Sequence, residues 1–422
     1  MANFPAIEGD RVISFDEATQ ILGEWGEGRR AKRIEQEVLL EQAVGHVLSE
    51  SLKSPIAIPP FDNSAMDGFA VRARETNPKR RILGTIPAGK AVPIDESSEE
   101  NAAWEIMTGA PLPKGFDAVI RVEETSLQSG PEKVVALARS PYEGENIRRS
   151  GEDFRVGDGV VTAGTVLMPH HILALATLGW SGVKVWKKPS IALLSTGREL
   201  VEPSLKRPLA PGEIYNSTQS FLLSALPLMG AVARTYGIVS DEPIEFSRVI
   251  GRILKDKPDL IVTTGAVSMG KYDFIATALG ELGARTLFHK VAIRPGKPLL
   301  VAEFPDEGSA FFGLPGNPIS TAVGLRFFIE PFLRSWLGRP PERPSFLYLD
   351  NTFSKPKGIL AFCKARLSPR IGTATILNKQ PSFMVSPLNE TNGWVVLPEE
   401  DSVFEAGRAV ATFPLYALSS DL

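Results

Sequence analysis

The chain has 422 residues, 43% apolar and 23% charged, with a net charge of −3 and one cysteine, Cys363. That length exceeds what one hydrophobic core organises, so roughly two to four domains are expected, and the charge leaves no electrostatic footprint for nucleic acid. One cysteine excludes an intrachain disulfide or a Cys-based zinc site, no apolar run reaches bilayer length, and residues 1–8 lack signal-peptide character, so a soluble cytoplasmic protein is expected.

Ser14 followed three positions on by Glu17 has capping-box spacing and predicts a short amphipathic helix over 14–22. Residues 35–46 read as strand or helix, and His46 reads as structural because no histidine or cysteine lies at ligand spacing. The phrase Pro59-Pro-Phe-Asp-Asn-Ser-Ala-Met-Asp-Gly-Phe-Ala70 puts two carboxylates, an amide and a hydroxyl on a stretch that the prolines extend and Gly68 bends. Taken alone, Asp62-Asn63-Ser64 is a turn before it is a site.

From residue 69 to 139 short alternating runs, at 81–86, 104–108, 117–122 and 133–137, predict an inserted β domain. Gly144-Glu-Asn-Ile-Arg-Arg-Ser-Gly-Glu-Asp153 then returns the chain to a connecting region, where an acid such as Asp153 is structural as readily as functional. His170 and His171 precede an apolar helix over 172–178. One imidazole can cap it, and adjacent helical positions are expected to point apart.

An α/β unit begins near Val183. Strands at 190–197, 231–239 and 259–264 alternate with helices at 217–225 and 242–254, which predicts a parallel sheet with helices on both faces. Ligands bind over the carboxyl ends of such strands, so Gly197, Asp241, Gly265 and Gly316 are expected on one rim. Within it, Gly265-Ala-Val-Ser-Met-Gly270 opens a helix, Lys290-Val-Ala-Ile-Arg-Pro-Gly-Lys-Pro298 arranges three cations around a stiff turn, and a helix starts behind Asn317. One such loop is only how an α/β domain turns; three, with Lys290, Arg294 and Lys297 between them, point to an anion. Pro331 predicts a kink in an apolar helix over 319–333. Beyond a linker at 338–344, short strands predict a small β barrel or sandwich.

Two kinds of chemistry follow. Carboxylates at Asp62, Asp153, Glu199, Asp241 and Asp273, all expected on that rim, are hard donors suited to Mg²⁺. The three cations, with the hydroxyls of Ser268 and Ser320, suit a tetrahedral oxyanion and a pyrophosphate.

These phrases resemble the molybdopterin molybdenumtransferase family, called MoeA in bacteria and the gephyrin E domain in animals. The 59–70 phrase matches nearly letter for letter, and Met107-Thr-Gly-Ala-Pro-Leu-Pro-Lys-Gly-Phe-Asp-Ala-Val119, the 144–153 phrase, Arg294-Pro-Gly-Lys-Pro298 and Leu314-Pro-Gly-Asn-Pro-Ile-Ser320 follow it. The resemblance implies a multidomain α/β plus β architecture. Its parts would be an N-terminal helix (1–27), an elongated linking domain (28–48 and 147–182), an inserted β domain (49–146), a central doubly wound, molybdopterin-binding, MogA-like α/β domain (183–337) and a C-terminal β barrel (338–422). It implies an Mg²⁺-dependent transferase that inserts molybdate into adenylated molybdopterin and releases AMP, in molybdenum cofactor biosynthesis. It also implies a homodimer in which one subunit completes the other's cleft, and contacts with other cofactor-biosynthesis proteins and molybdoenzymes.

Carried over residue by residue, the resemblance gives catalytic roles to Asp62, Thr108, Asp153, Glu199, Asp273, Lys290 and Arg294. Ser64, Gly197, Gly265, Ser268, Lys297, Pro298, Gly316, Asn317 and Ser320 would bind substrate, and Glu199, Asp241 and Asp273 the metal. In the C-terminal part, Arg366 and Ser382 are candidates to reach molybdate. Three departures stand out: Arg198 reverses a family charge beside Glu199, Ala266 replaces a glycine, and Asn216 replaces a carboxylate. They leave open a non-catalytic molybdopterin-binding scaffold, or a nucleotide pyrophosphatase on the same α/β domain.

Overall fold

The computed structural model of the chain describes residues 11–90, 99–128, 130–265 and 274–416. The first helix, Phe15–Arg29, is capped as the sequence predicts, the Ser14 hydroxyl accepting from the Glu17 amide at 3.0 Å. It continues past residue 22 and lies on the helix Glu330–Leu337, where Gly26 is obligatory because Ser335 Cβ lies 2.8 Å from where a side chain would begin.

Among the described residues the central sheet has six strands, in the order Val232–Val239, Ser190–Thr196, Leu260–Thr264, Ser309–Leu314, Leu300–Phe304, Arg285–His289. The first four are parallel, as the strand–helix alternation predicts. The last two break the expected pattern: each runs antiparallel to its neighbour. Residues 305–308 are too few for a crossover helix, so Leu300–Phe304 and Ser309–Leu314 form a hairpin instead. Both faces of the sheet are apolar. Ile191, Leu193, Val262 and Phe312 pack on one side, and Ala192, Leu194, Ile261 and Phe311 on the other, the period-2 alternation of strands. The first side is covered by Ser217–Ala225 and the second by Pro243–Lys255 and Ile275–Glu281.

The expected kink at Pro331 takes the form of a π turn. Pro318–Gly324 is α-helical, Leu325–Ile329 is π-helical, and Glu330–Leu337 is α-helical again, with Pro331 in its first turn. A proline offers no N–H to the preceding turn and clashes with its carbonyl, and widening that turn relieves both problems.

Residues 35–39, ambiguous in sequence, form a strand antiparallel to Gly182–Trp186. In the helix Pro169–Thr177, His171 Nδ1 accepts from the Met168 amide at 3.0 Å. Its ring lies 4.0 Å from that of His170, contrary to the expected divergence, because both sit in the first turn with no preceding turn to separate them. A second six-stranded sheet, among the described residues, runs Ala118–Arg121, Gly68–Val71, Ala102–Ile106, Lys79–Ile86, Val134–Leu137, Thr125–Gln128.

The C-terminal strands close into a barrel. Leu360–Ser368 pairs with both Thr373–Ile376 and Gly393–Leu397, and Ser345–Leu349 and Ala409–Pro414 complete the circuit. The two-residue strand Ile293–Arg294, inside the loop that joins two strands of the central sheet, adds to Leu360 and Ala361 of this barrel. No helix among the described residues is long and apolar enough to cross a membrane.

Candidate functional site

Three strand ends of the central sheet meet at one rim through glycines. Gly265 adopts φ +96°, and a Cβ there would lie 2.4 Å from the Thr196 carbonyl oxygen and 2.7 Å from its Oγ1. Its amide donates to Leu314 O at 3.0 Å, and Gly316 lies directly against its Cα, 3.5 Å from a notional Cβ. Gly197, at φ +146°, leaves the place of a Cβ within 2.8 Å of both Glu199 carboxylate oxygens. Backbone rather than side chain is what such a floor presents, and with the Gly197 amide donating to Val239 O at 3.0 Å its role is to let a ligand approach the main chain closely.

A polar layer is buried beneath it. Thr264 Oγ1 donates to Ser195 Oγ at 3.2 Å, Asn216 Nδ2 to Ser195 Oγ at 3.0 Å and to Glu202 Oε1 at 3.2 Å, and Gln219 Nε2 to Glu202 Oε1 at 2.9 Å. Satisfied networks of this kind rigidify what rests on them. Asn216 is 1% exposed and caps Ser217–Ala225. It therefore faces inward to Glu202, and the carboxylate it replaces in the family pattern is not one that the rim has lost.

The rim's negative charge comes from Glu199 and Asp241. Burial holds the Asp241 carboxyl above its ordinary range, and the nearby charge of Glu199 pushes it the same way. Arg198 opposes this through its charge and its backbone amide, while its guanidinium forms an ion pair with Glu242. Two hard-oxygen acids that repel each other, one with its carboxylate lodged over a glycine, fit a small divalent cation. Asp273 and Ser268, expected beside them, lie outside the described residues, as does Ala266, and among the described residues no cluster of three potential ligands forms.

The cationic loop reaches the same rim. His289 pairs with Leu300, and Leu300 with Gly313, so both ends of the loop 290–298 emerge where Ser309–Leu314 ends. Lys290 is buried at its base with φ +75°, its amide donating to Leu299 O at 3.0 Å and its carbonyl accepting from Ile13 at 3.1 Å. Arg294 and Lys297 are exposed beyond the half-buried Pro298. Arg294 opens into a cleft of about 400 Å³, shared with Lys355, Cys363, Gln380, Ser382 and Phe383 of the barrel.

Several expectations are corrected here. Ser382 lines the cleft, but Arg366 pairs with Glu390 at 3.3 Å and does not. Asn317 precedes Pro318–Gly324 without capping it by its side chain, and Ser320 is buried in the first turn, 4% exposed. Lys355 and Gln380 carried no motif that could have marked them; only folding of the barrel brings them to Arg294.

Asp62 and Asp153 are not on this rim. Strand Asn63–Ser64 pairs with Ile147–Arg148, Gly109 donates to Ser64 O at 2.8 Å and Asp153 to Ile58 O at 2.9 Å, so three sequence phrases join into a second cluster. They lie on connections of the inserted sheet, whose strands pair with one another, and no hydrogen bond or ion pair of Asp62, Ser64, Thr108 or Asp153 reaches the rim among the described residues. The Ser150 amide at 2.8 Å and Arg149 Nη1 at 2.7 Å hold the Asp62 carboxyl below its usual range. Ser64, expected to touch substrate, is fully buried and donates to Met66 O at 2.5 Å, so it shapes the turn. Asp67 was missed. Its Oδ1 accepts from both the amide (2.6 Å) and the hydroxyl (2.8 Å) of Thr108, and its place in the same acidic phrase was the available signal.

Comparison with known proteins agrees across the chain. Residues 13–179 match the model of the MoeA N-terminal region (domain I and II), and residues 192–335 that of a probable molybdopterin binding domain. A molybdopterin molybdenumtransferase of Synechococcus elongatus is 37% identical over 89% of this chain and 93% of its own. One of Bacillus subtilis is 35% identical over 88% of each. The crystal structure of a molybdopterin biosynthesis MoeA protein from Pyrococcus horikoshii superposes with a TM-score of 0.81 at 27% identity, covering 96% of this chain and 99% of that one.

Proposed function

The chain belongs to the molybdopterin molybdenumtransferase family, enzymes of molybdenum cofactor biosynthesis, and from that premise we propose that it inserts molybdate into adenylated molybdopterin with release of AMP. The observation that carries this reading is the meeting, on one sheet rim, of a glycine floor, the Glu199–Asp241 acids and the Arg294 cleft. The floor of Gly197, Gly265 and Gly316 carries no side chains, so the phosphates can lie close against the main chain there, although the Gly197 and Gly265 amides are already bonded to Val239 O and Leu314 O. Arg294, Lys297 and Ser382 seat the tetrahedral oxyanion beside them. Glu199 and Asp241, with Asp273, would hold Mg²⁺, which when bound polarises a phosphoanhydride.

The chain supplies placement and charge compensation, not a covalent nucleophile. Cys363 is the one thiol in the sequence, and burial pushes its pKa up to about 12, so it stays protonated. Purified protein incubated with molybdate, Mg²⁺ and adenylated molybdopterin is expected to release AMP and to activate a molybdoenzyme apoprotein. Absence of AMP under every divalent ion overturns the reading. A pterin-binding scaffold would keep ligand affinity in that assay without turnover.

Arg198→Asp tests what the altered charge does. Removing a cation beside Asp241 is expected to tighten Mg²⁺ binding about three- to tenfold. Calorimetry showing no change would mean that Glu242 already neutralises the arginine.

The cluster of Asp62, Asp67, Thr108 and Asp153 belongs to the same reading if a second copy of the chain brings it over the rim. A homodimer follows. Inactive Glu199→Gln and Asp67→Asn proteins, dissociated and reassociated together, are then expected to recover about a quarter of wild-type activity, because one mixed site in each heterodimer is intact. No recovery places both acids in one subunit's site. Activity in the cytoplasm and contacts with other cofactor-biosynthesis proteins and molybdoenzymes complete the proposal.

A further inference from the structure

One wall of the Arg294 cleft is the irregular segment that contributes Gln380, Pro381, Ser382 and Phe383. Nothing in its backbone is paired as strand or helix. Something else must fix it.

Behind it lies Lys364, on the barrel strand Leu360–Ser368 and 0% exposed. A buried ammonium is costly unless its protons are satisfied, and an unbranched apolar chain of the same length would fill the space without that cost. What the lysine adds is direction and charge. Its Nζ donates to Lys379 O at 2.8 Å and to Met384 O at 2.9 Å, the carbonyls immediately before and after the four residues that form the wall. The Lys364 amide donates to Gln380 Oε1, and its carbonyl accepts from Gln380 Nε2, both at 2.9 Å. On the far side, Ser382 O accepts from the Ile319 amide at 3.0 Å, in the first turn of Pro318–Gly324. The wall is thus tied to the barrel at both ends and to the α/β domain at its centre. Among the described residues no carboxylate forms an ion pair with Lys364, so the two carbonyls are what hold its ammonium. Burial shifts its pKa below the ordinary lysine value.

Resting on the reading of this cleft as the oxyanion seat, we propose that Lys364 is a positioning residue for molybdate: it clasps both ends of the Gln380–Phe383 wall and so sets Ser382 opposite Arg294. It touches no substrate.

The test is calorimetric titration of the full-length protein with molybdate alone. Lys364→Met, matched in length and shown by its melting curve to be folded, is expected to bind molybdate about tenfold more weakly or worse, the scale of losing hydrogen bonds to a charged group. Its affinity for AMP should be unchanged, an outcome that general loosening of the fold would not give. Ser382→Ala should weaken molybdate binding as well, and the double variant should be little worse than Lys364→Met, because the lysine acts through the serine. Wild-type molybdate affinity in folded Lys364→Met, together with loss in Arg294→Ala, overturns the clasp and leaves the cleft reading intact. Wild-type affinity in both overturns the cleft reading and the clasp with it. Should Lys364→Met not fold, Gln380→Ala cuts the parallel tie, and unchanged affinity there overturns the proposal.

Discussion

Glu199→Gln is expected to lower kcat/KM for AMP release at least about a hundredfold and to raise the Mg²⁺ concentration for half-maximal activity about tenfold, with no change in melting temperature. Glu199 is exposed and makes no ion pair among the described residues, so neutralising it removes nothing that holds the fold. The role proposed for it is electrostatic: its charge lies near Asp241, which burial already disfavours as an anion. Two such acids are kept close at a cost in repulsion that a divalent cation would reverse. Glutamine keeps the shape and one acceptor oxygen while removing the charge. AMP release measured across a Mg²⁺ series separates the outcomes, and a variant with wild-type metal dependence would take Glu199 out of the metal site.

Gly265→Ala should cost at least about 3 kcal/mol of stability and abolish turnover together. The new methyl group meets a backbone oxygen at 2.4 Å, at a φ of +96° that alanine rarely adopts. Because the obstacle belongs to the neighbouring strand's main chain, relief requires Ser190–Thr196 and Leu260–Thr264 to part at the rim. Gly197→Ala makes the control. There the φ of +146° strains alanine too, but the nearest atoms are the end of the Glu199 side chain, which can swing aside, so the stability loss should be smaller than at Gly265 while activity still falls. Urea denaturation of both proteins checks this, and equal stability losses would contradict it.

Much of this was legible in the chain itself. Alternating strands and helices from residue 190 onwards announced the parallel sheet, since burial of both faces leaves continuous apolar runs bounded by glycine turns. The antiparallel pair, Leu300–Phe304 and Arg285–His289, was hidden because strand direction is set by the length of a connection, and residues 305–308 carry no hydrophobic pattern. At the site, the glycines and cations of the 259–320 stretch were readable because one continuous segment carries them. Lys355, Gln380 and Lys364 were not, since their importance arises only when a separate barrel folds against Arg294. Asp62 and Asp153 lie away from the rim of their own subunit for a related reason: residue type identifies a possible ligand but not which sheet will carry it.

The shared loop has a mechanical consequence. Arg285–His289 and Leu300–Phe304 belong to the central sheet, while Ile293–Arg294, between them, is stitched into the barrel. Swinging the barrel away from the sheet would break the Ile293 and Arg294 pairings or drag two strands out of register, so the junction resists such a motion. The wall and floor around Arg294 are thereby coupled through one stretch of main chain.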